Sequence, residues 1–249
     1  MCFMFSRCTN LLSLDLSNFD ISQKNISSLF KECSSLKSIT FSKNYKLVEN
    51  IEEMFYGCSS LISLDLFNFD FGLVESMSYL FFNCSSLTSL DLSEIDSFYV
   101  SNMKCMLCNC ISLISLNISN FITSSAINME SMFYNCISLI TLDLSSFDTS
   151  KVNNMERMFS DCINLISLNL SNFNTSLVIY MTSMFRGCKT LISLDLSSFN
   201  TSSVQYMDRM FEGCNNLTIL NLSNFYINNI NSLYRTFADC INLQYINIS

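Results

Sequence analysis

The side chains in this sequence most able to do chemistry are its thirteen cysteines. Ten of them fall at Cys8, Cys33, Cys58, Cys84, Cys110, Cys136, Cys162, Cys188, Cys214 and Cys240, in steps of 25, 25 and then 26 residues. Thiols so placed invite disulfide bonding, metal ligation or nucleophilic attack. A disulfide between equivalent positions needs Cα atoms within about 7 Å, and the odd total leaves one thiol over. The run Cys105-x-x-Cys108-x-Cys110 has the spacing of half a zinc site, yet no second C-x-x-C and no histidine accompany it. A cysteine nucleophile would lack an imidazole base. With no Gly-rich phosphate loop and no distinctive acid pair either, the sequence reads as no enzyme, with no cofactor and no metal.

The ten regular cysteines mark a repeat whose units bury their apolar faces only against one another, as in a solenoid. Residues 1–249 therefore read as a single array of nine to ten units with no domain boundary. Within Thr149 to Phe173, Val152, Met155, Met158 and Phe159 have the spacing of a one-faced amphipathic helix, with Thr149 or Ser150 at its N-cap. Gly57, Asn83, Asn109, Asn135, Asp161, Gly187, Gly213 and Asp239 precede the regular cysteine and suit a left-handed helix end, Arg7 and Glu32 being the exceptions. After the cysteine the period becomes two, as in Leu142-Asp143-Leu144 and Leu168-Asn169-Leu170, which predicts a strand. The predicted fold is α/β: a curved right-handed solenoid with a short parallel strand and a short helix per repeat of 25 or 26 residues. Helices about 10 Å wide, set against strands about 4.8 Å apart, would make the sheet concave. The laddered cysteines fall where a small buried hydrophobe fits, which predicts a reduced core ladder. On such a helix Cys105 and Cys108 point outward, at positions occupied elsewhere by Arg157, Tyr134 and Arg186.

The segment Cys162-Ile163-Asn164-Leu165-Ile166-Ser167-Leu168-Asn169-Leu170 resembles the leucine-rich repeat core L-x-x-L-x-L. The longer unit, V-x-x-M-x-x-M-F-x-x-C followed by S-x-F-D/N-T-S, is similar to the BspA-like family of bacterial and protist surface proteins over essentially the whole chain. That resemblance implies protein binding, with adhesion at a cell surface. One departure is the phenylalanine at Phe69, Phe147, Phe173, Phe199 and Phe225, where the general pattern has an asparagine ladder. A spine of stacked rings is expected to replace that ladder. Asn44 and Tyr45 depart further and predict an irregularity near residues 20 to 52.

Hydrophobic residues make up 49% of the chain, but polar residues interrupt every run, so this segment inserts in no membrane. A formal net charge of −8 without a basic cluster speaks against a nucleic-acid partner. The apolar Met1 to Phe5 runs straight into a repeat motif, leaving no signal-peptide core. The array opens and closes within a unit, and the expectation is a piece of a longer protein.

The outward strand positions form two columns. Ser63, Ser89, Ser115, Thr141, Ser167, Ser193, Ile219 and Tyr245 lie in one; Asp65, Asp91, Asn117, Asp143, Asn169, Asp195, Asn221 and Asn247 lie in the other. From Asp91 to Asn221 aspartate and asparagine alternate, which spaces like charges two strands apart. Three readings fit this face: mere tolerance of charge in a ladder, a surface for a protein or glycan partner, or calcium held between carboxylates. The functional expectation is a non-catalytic interaction or adhesion module that binds through these columns. The alternatives are a structural spacer or, given unpaired cysteines, an intracellular scaffold.

Overall fold

The computed structural model of the chain describes residues 1–19, 24–42, 46–67 and 69–248. It is a parallel β-solenoid of about nine coils. Strands of two to four residues, from Ser13–Leu16 to Tyr245–Ile248, recur at the L-x-L positions and pair in parallel with the next coil. Ser89–Asp91 pairs with Ser115–Asn117, Thr141–Asp143 with Ser167–Asn169, and Ile219–Leu222 with both Ser193–Leu194 and Tyr245–Ile248. The third coil differs: no strand forms over 63–65, and Lys46–Leu47 instead pairs with Phe69–Asp70. Asn44 and Tyr45 lie outside the described residues.

The expected helix is absent. Among the described residues the V-x-x-M-x-x-M-F segment is a chain of β-turns, so the architecture is all-β. The amides of Met129, Ser131, Phe133 and Asn135 donate one coil onward, to the carbonyls of Asn154, Glu156, Met158 and Ser160 at 2.8–3.0 Å. The alternate amides of Met132, Tyr134 and Cys136 donate three residues back at 3.1–3.2 Å. An α-helix would instead consume every amide within its own segment. The helix is broken by two left-handed residues per coil, four positions apart. One is the residue before the cysteine, with Arg7 and Glu32 (φ 62° and 61°) adopting it like Asn135 (φ 59°). The other is unannounced by residue type: Ser131, Arg157, Ser183 and Arg209 all have φ of 54–58°. Thr149 is therefore no N-cap. With strand-like bridges on this side too, from Ser76 through Asn102 and Asn128 to Ser232, both sides step at strand spacing. The helix-width argument for a concave sheet therefore loses its basis.

The inward residues are those the periods select. Val152, Met155, Met158, Phe159, Cys162 and Leu165 are all buried, as are their counterparts in neighbouring coils. Two aromatic spines run along the axis. Phe133, Phe159, Phe185, Phe211 and Phe237 stack at 5.6–5.7 Å. Phe173, Phe199 and Phe225 stack at 6.3 Å. The second spine does not displace a polar ladder, which lies two residues further along. The Thr149 hydroxyl donates to Asn174 O at 2.9 Å and accepts from Asn174 N at 2.8 Å. Ser97, Thr123, Thr175 and Thr201 repeat this exchange with the backbone of the following coil.

The laddered thiols are free; those from Cys33 to Cys214 are buried. Each of these hydrogen-bonds a carbonyl of the preceding coil: Cys162 Sγ donates to Phe133 O at 3.1 Å and Cys188 Sγ to Phe159 O at 3.1 Å. Burial pushes the thiols of Cys110 and Cys162 up to about 12.

Two predictions test this packing. Thr149→Val keeps the shape but strands the Asn174 amide and carbonyl, and should cost roughly 2–4 kcal/mol in urea unfolding. Phe147→Ala should cost about 3–5 kcal/mol, while exposed Ser146→Ala should stay within about 0.5 kcal/mol. Equal shifts for all three would refute the inward and outward assignment. The second concerns pH. A thiol whose folded pKa is raised keeps its proton in the fold and loses it on unfolding, so its stability is whole below about pH 8.5 and declines as pH climbs. Unfolding free energies from urea titrations should fall between pH 8 and 10, by up to about 1.4 kcal/mol per pH unit per buried thiol. Cys162→Ala should flatten that slope; a slope unchanged in the variant would contradict the assignment.

Candidate functional site

The sixteen outward residues expected to form a face are all exposed. In register, Ser89 meets Ser115, Asp91 meets Asn117, Thr141 meets Ser167, and Asp143 meets Asn169. At the C-terminal end Ser193, Ile219 and Tyr245 align, as do Asn221 and Asn247. Ser63 and Asp65 are exposed in the third coil without being in a strand.

Much of the hydrogen-bonding capacity of the Asp/Asn column is already engaged. Asp143 Oδ1 accepts from the Ser145 amide at 3.0 Å, and Asp91 Oδ1 from Ser93 N and Oγ at 2.9 and 2.7 Å. The side-chain hydrogen bond from Ser93, followed by its backbone amide, lowers the Asp91 pKa. The backbone amide two residues on leads the same effect at Asp15, Asp143 and Asp195. Asn117 Nδ2 then donates back to Asp91 Oδ2 at 3.1 Å, and Asn169 Nδ2 to Asp143 Oδ1 at 3.2 Å. Two of the three Asp/Asn neighbours are thus closed carboxylate–carboxamide pairs, whereas Asn221 Oδ1 accepts from Asn247 Nδ2 at 3.2 Å. Between one pair and the next, Asn117 Oδ1 accepts from the Ser119 amide and Nδ2 donates to Asp91, and no hydrogen bond joins Asn117 to Asp143. Strand pairing is interrupted there, and a depression of about 360 Å³ opens between Leu116, Asn117, Thr141, Asp143 and Ser146.

A third column was not expected. Ile114, Ile140, Ile166 and Ile192 occupy successive coils where the chain enters its strands, and they are 63%, 49%, 52% and 54% exposed. Leu12 and Ile62 hold the same place nearer the N-terminus, but Lys37 and Thr88 interrupt the column there. At about 4.8 Å per coil, the four isoleucines make an apolar stripe about 14 Å long beside the Ser/Thr column. Its signal is in the L-I-S-L-D-L and L-I-S-L-N-L motifs, where the first variable position of L-x-x-L-x-L is apolar in four coils running. Counting alternation only from the second leucine passes over it.

On the turn face, opposite charges meet between coils. Lys104 pairs with Glu130 at 3.0 Å, and Glu212 receives Arg235 at 2.8 Å with Arg186 Nε at 3.5 Å. These charges largely neutralise one another and contribute little to stability where exposed. Cys105 and Cys108 are not outward, as a helix would have them, but buried, as are the small Ser131, Ser160 and Ser183 at the equivalent positions, while the longer Arg157 reaches solvent. Cys110 instead joins the core ladder, donating to Phe81 O at 3.2 Å. Among the described residues no cluster of three or more His, Cys, Asp or Glu is placed to hold a metal ion. No helix among them is long and apolar enough to cross a membrane.

Among solved structures, a leucine-rich repeat protein from Bacteroides ovatus ATCC 8483 superposes with a TM-score of 0.62 at 18% identity, over 100% of this chain and 63% of that one. The chain thus spans just under two thirds of that protein's length, and the likeness shows a leucine-rich-repeat-type solenoid. A leucine rich cell surface protein from Faecalibacterium prausnitzii A2-165 is similar at a TM-score of 0.32 and 15% identity, over 95% of this chain and 83% of that one. No curated protein matches the sequence. The model of the family described as "Mycoplasma protein of unknown function, DUF285" matches residues 1–64, 24–141, 49–168 and 137–248, and the chain belongs to that family, its coils being leucine-rich repeats of the BspA-like kind.

Proposed function

We propose that this chain is a non-catalytic interaction module that captures a protein partner on its strand face. The observation that carries the reading is the isoleucine column, Ile114 to Ile192, in which the same outward position is apolar and about half exposed on four successive coils. Contiguous exposed apolar surface rimmed by polar residues is a mark of protein interfaces. The neighbouring Ser/Thr hydroxyls and the acceptor-rich gap at Asn117 and Asp143 suit a partner that brings N–H donors alongside an apolar strip. A glycan would stack on aromatic rings in preference to branched aliphatics, and this column has none. With no histidine there is no imidazole for general acid or base work, which supports a binding role over catalysis. Display at a cell surface, with adhesion as the outcome, is the setting that the BspA-like resemblance supports.

The test is a triple variant, Ile114→Glu, Ile140→Glu and Ile166→Glu, compared with the unaltered chain on panels of immobilised proteins and glycans. The unaltered chain should capture protein ligands, and the variant should bind them at least tenfold more weakly while keeping its thermal melt. Binding confined to glycans, or equal binding by the variant, overturns the reading. Capture of nothing by either would favour the spacer.

A further inference from the structure

Cys105 and Cys108 differ from the laddered thiols in both place and surroundings. They are only 8% and 4% exposed, yet they stand apart from the continuous apolar core that takes in Cys110. Cys105 holds one of the left-handed positions, with φ 53°. The Cys108 amide donates to Cys105 O at 3.2 Å, which closes a β-turn between them. Such a turn holds its first and last Cα atoms within about 7 Å, in the span over which a disulfide forms. Cys110 is turned away, its sulfur committed to Phe81 O.

Hydrogen bonding from the Cys108 thiol, with a further bond from the Tyr79 hydroxyl, holds the Cys105 thiol below its ordinary value against the opposing effect of burial. The partner thiol first, and burial second, push Cys108 up. The Lys104 ammonium, paired with Glu130 at 3.0 Å, lies beside this group. Other coils place Ser131 and Tyr134, Arg157 and Ser160, or Ser183 and Arg186 at the same two positions. Thiols are therefore not required there by the packing, and serine is accommodated at both sites.

We propose that Cys105 and Cys108 are a redox-active dithiol on the turn face, converted to an intramolecular disulfide by exchange with a small-molecule disulfide. The Cys105 thiolate attacks one sulfur of the small disulfide, forming a mixed disulfide and releasing one small thiolate, which takes up the proton Cys105 gave. Cys108 then loses its proton and attacks the Cys105 sulfur, expelling the second small thiolate, which is protonated in turn. Two protein S–H bonds are lost and one S–S bond is gained, while two electrons reduce the small disulfide to two thiols. Cys105 is the attacking member because its thiolate is the one stabilised by neighbouring donors, and Cys108 is the resolving member.

The experiment uses the whole chain with the exposed Cys2 and Cys8 changed to serine, equilibrated with glutathione and its disulfide at graded ratios. Alkylation after denaturation, followed by intact and peptide mass analysis, should show one two-electron step that removes two free thiols and links Cys105 to Cys108. Cys108→Ser in this background should trap one glutathione on Cys105, and Cys105→Ser should abolish the step. Both variants should keep the parent thermal melt, as serine already occupies these positions in other coils. No Cys105–Cys108 linkage at any ratio, a linkage through Cys110, or a Cys108→Ser variant that takes up no glutathione would overturn the proposal.

Discussion

Where coils stack, alternate amides point along the axis, and those that are buried must find a carbonyl one coil away. On the strand face this is ordinary parallel pairing; on the turn face it is the exchange typified by Ser131 N to Glu156 O and Phe133 N to Met158 O. A buried amide without a partner costs as much as a lost hydrogen bond or more, so the coil period cannot drift far without stranding a whole column of donors. That constraint keeps the repeat at 25 or 26 residues and aligns like side chains in columns. Stacked phenylalanines, laddered thiols and the threonine hydroxyl exchange all follow from the alignment. None of them could form in a single coil.

The same constraint explains which parts of the fold were legible in the sequence. The period, the inward set and the strands could be read directly, because apolar spacing and the L-x-L alternation report burial whatever the backbone does locally. The helix was misread because a spacing of i, i+3, i+6 and i+7 is shared by an amphipathic helix and by successive β-turns with inward corners. What separates them is the left-handed residue four positions before each asparagine, aspartate or glycine. In this chain that position is filled by Ser131, Arg157, Ser183 and Arg209, types with no preference for φ > 0. Each left-handed residue costs about 1–2 kcal/mol on its own. The coil-to-coil hydrogen bonds that it frees the neighbouring amides to make offset that cost, and those bonds involve residues some 25 positions distant, which no local window samples.

The candidate site divides along the same line. Which residues face outward was readable from alternation, and the Asp/Asn alternation was visible as a pattern. Its physical sense was not, since the Asn117 amide reaching back to the Asp91 carboxylate depends on one coil lying in register over another. Once paired and capped by the serine two residues on, these groups keep less capacity for a ligand than their charge suggests. The isoleucines carry the opposite lesson. Ile140 and Ile166 sit beside buried leucines in sequence and look like more of the core, yet the L-x-x-L spacing turns them outward.

Columns also bear on how such a surface changes. Because every coil presents the same positions, a single residue type repeated across neighbours makes a stripe, and a single exception makes a discrete site. Cys105 and Cys108 are such an exception, as are Ile219 and Tyr245 at the end of the serine column. Substitution at outward positions leaves the axial hydrogen bonds and the aromatic spines untouched, so the scaffold tolerates variation there that it would not tolerate at Thr149 or Phe159. A solenoid held by its backbone is therefore free to diversify its faces, and departures from the repeat at exposed or turn positions are where function specific to one chain is written.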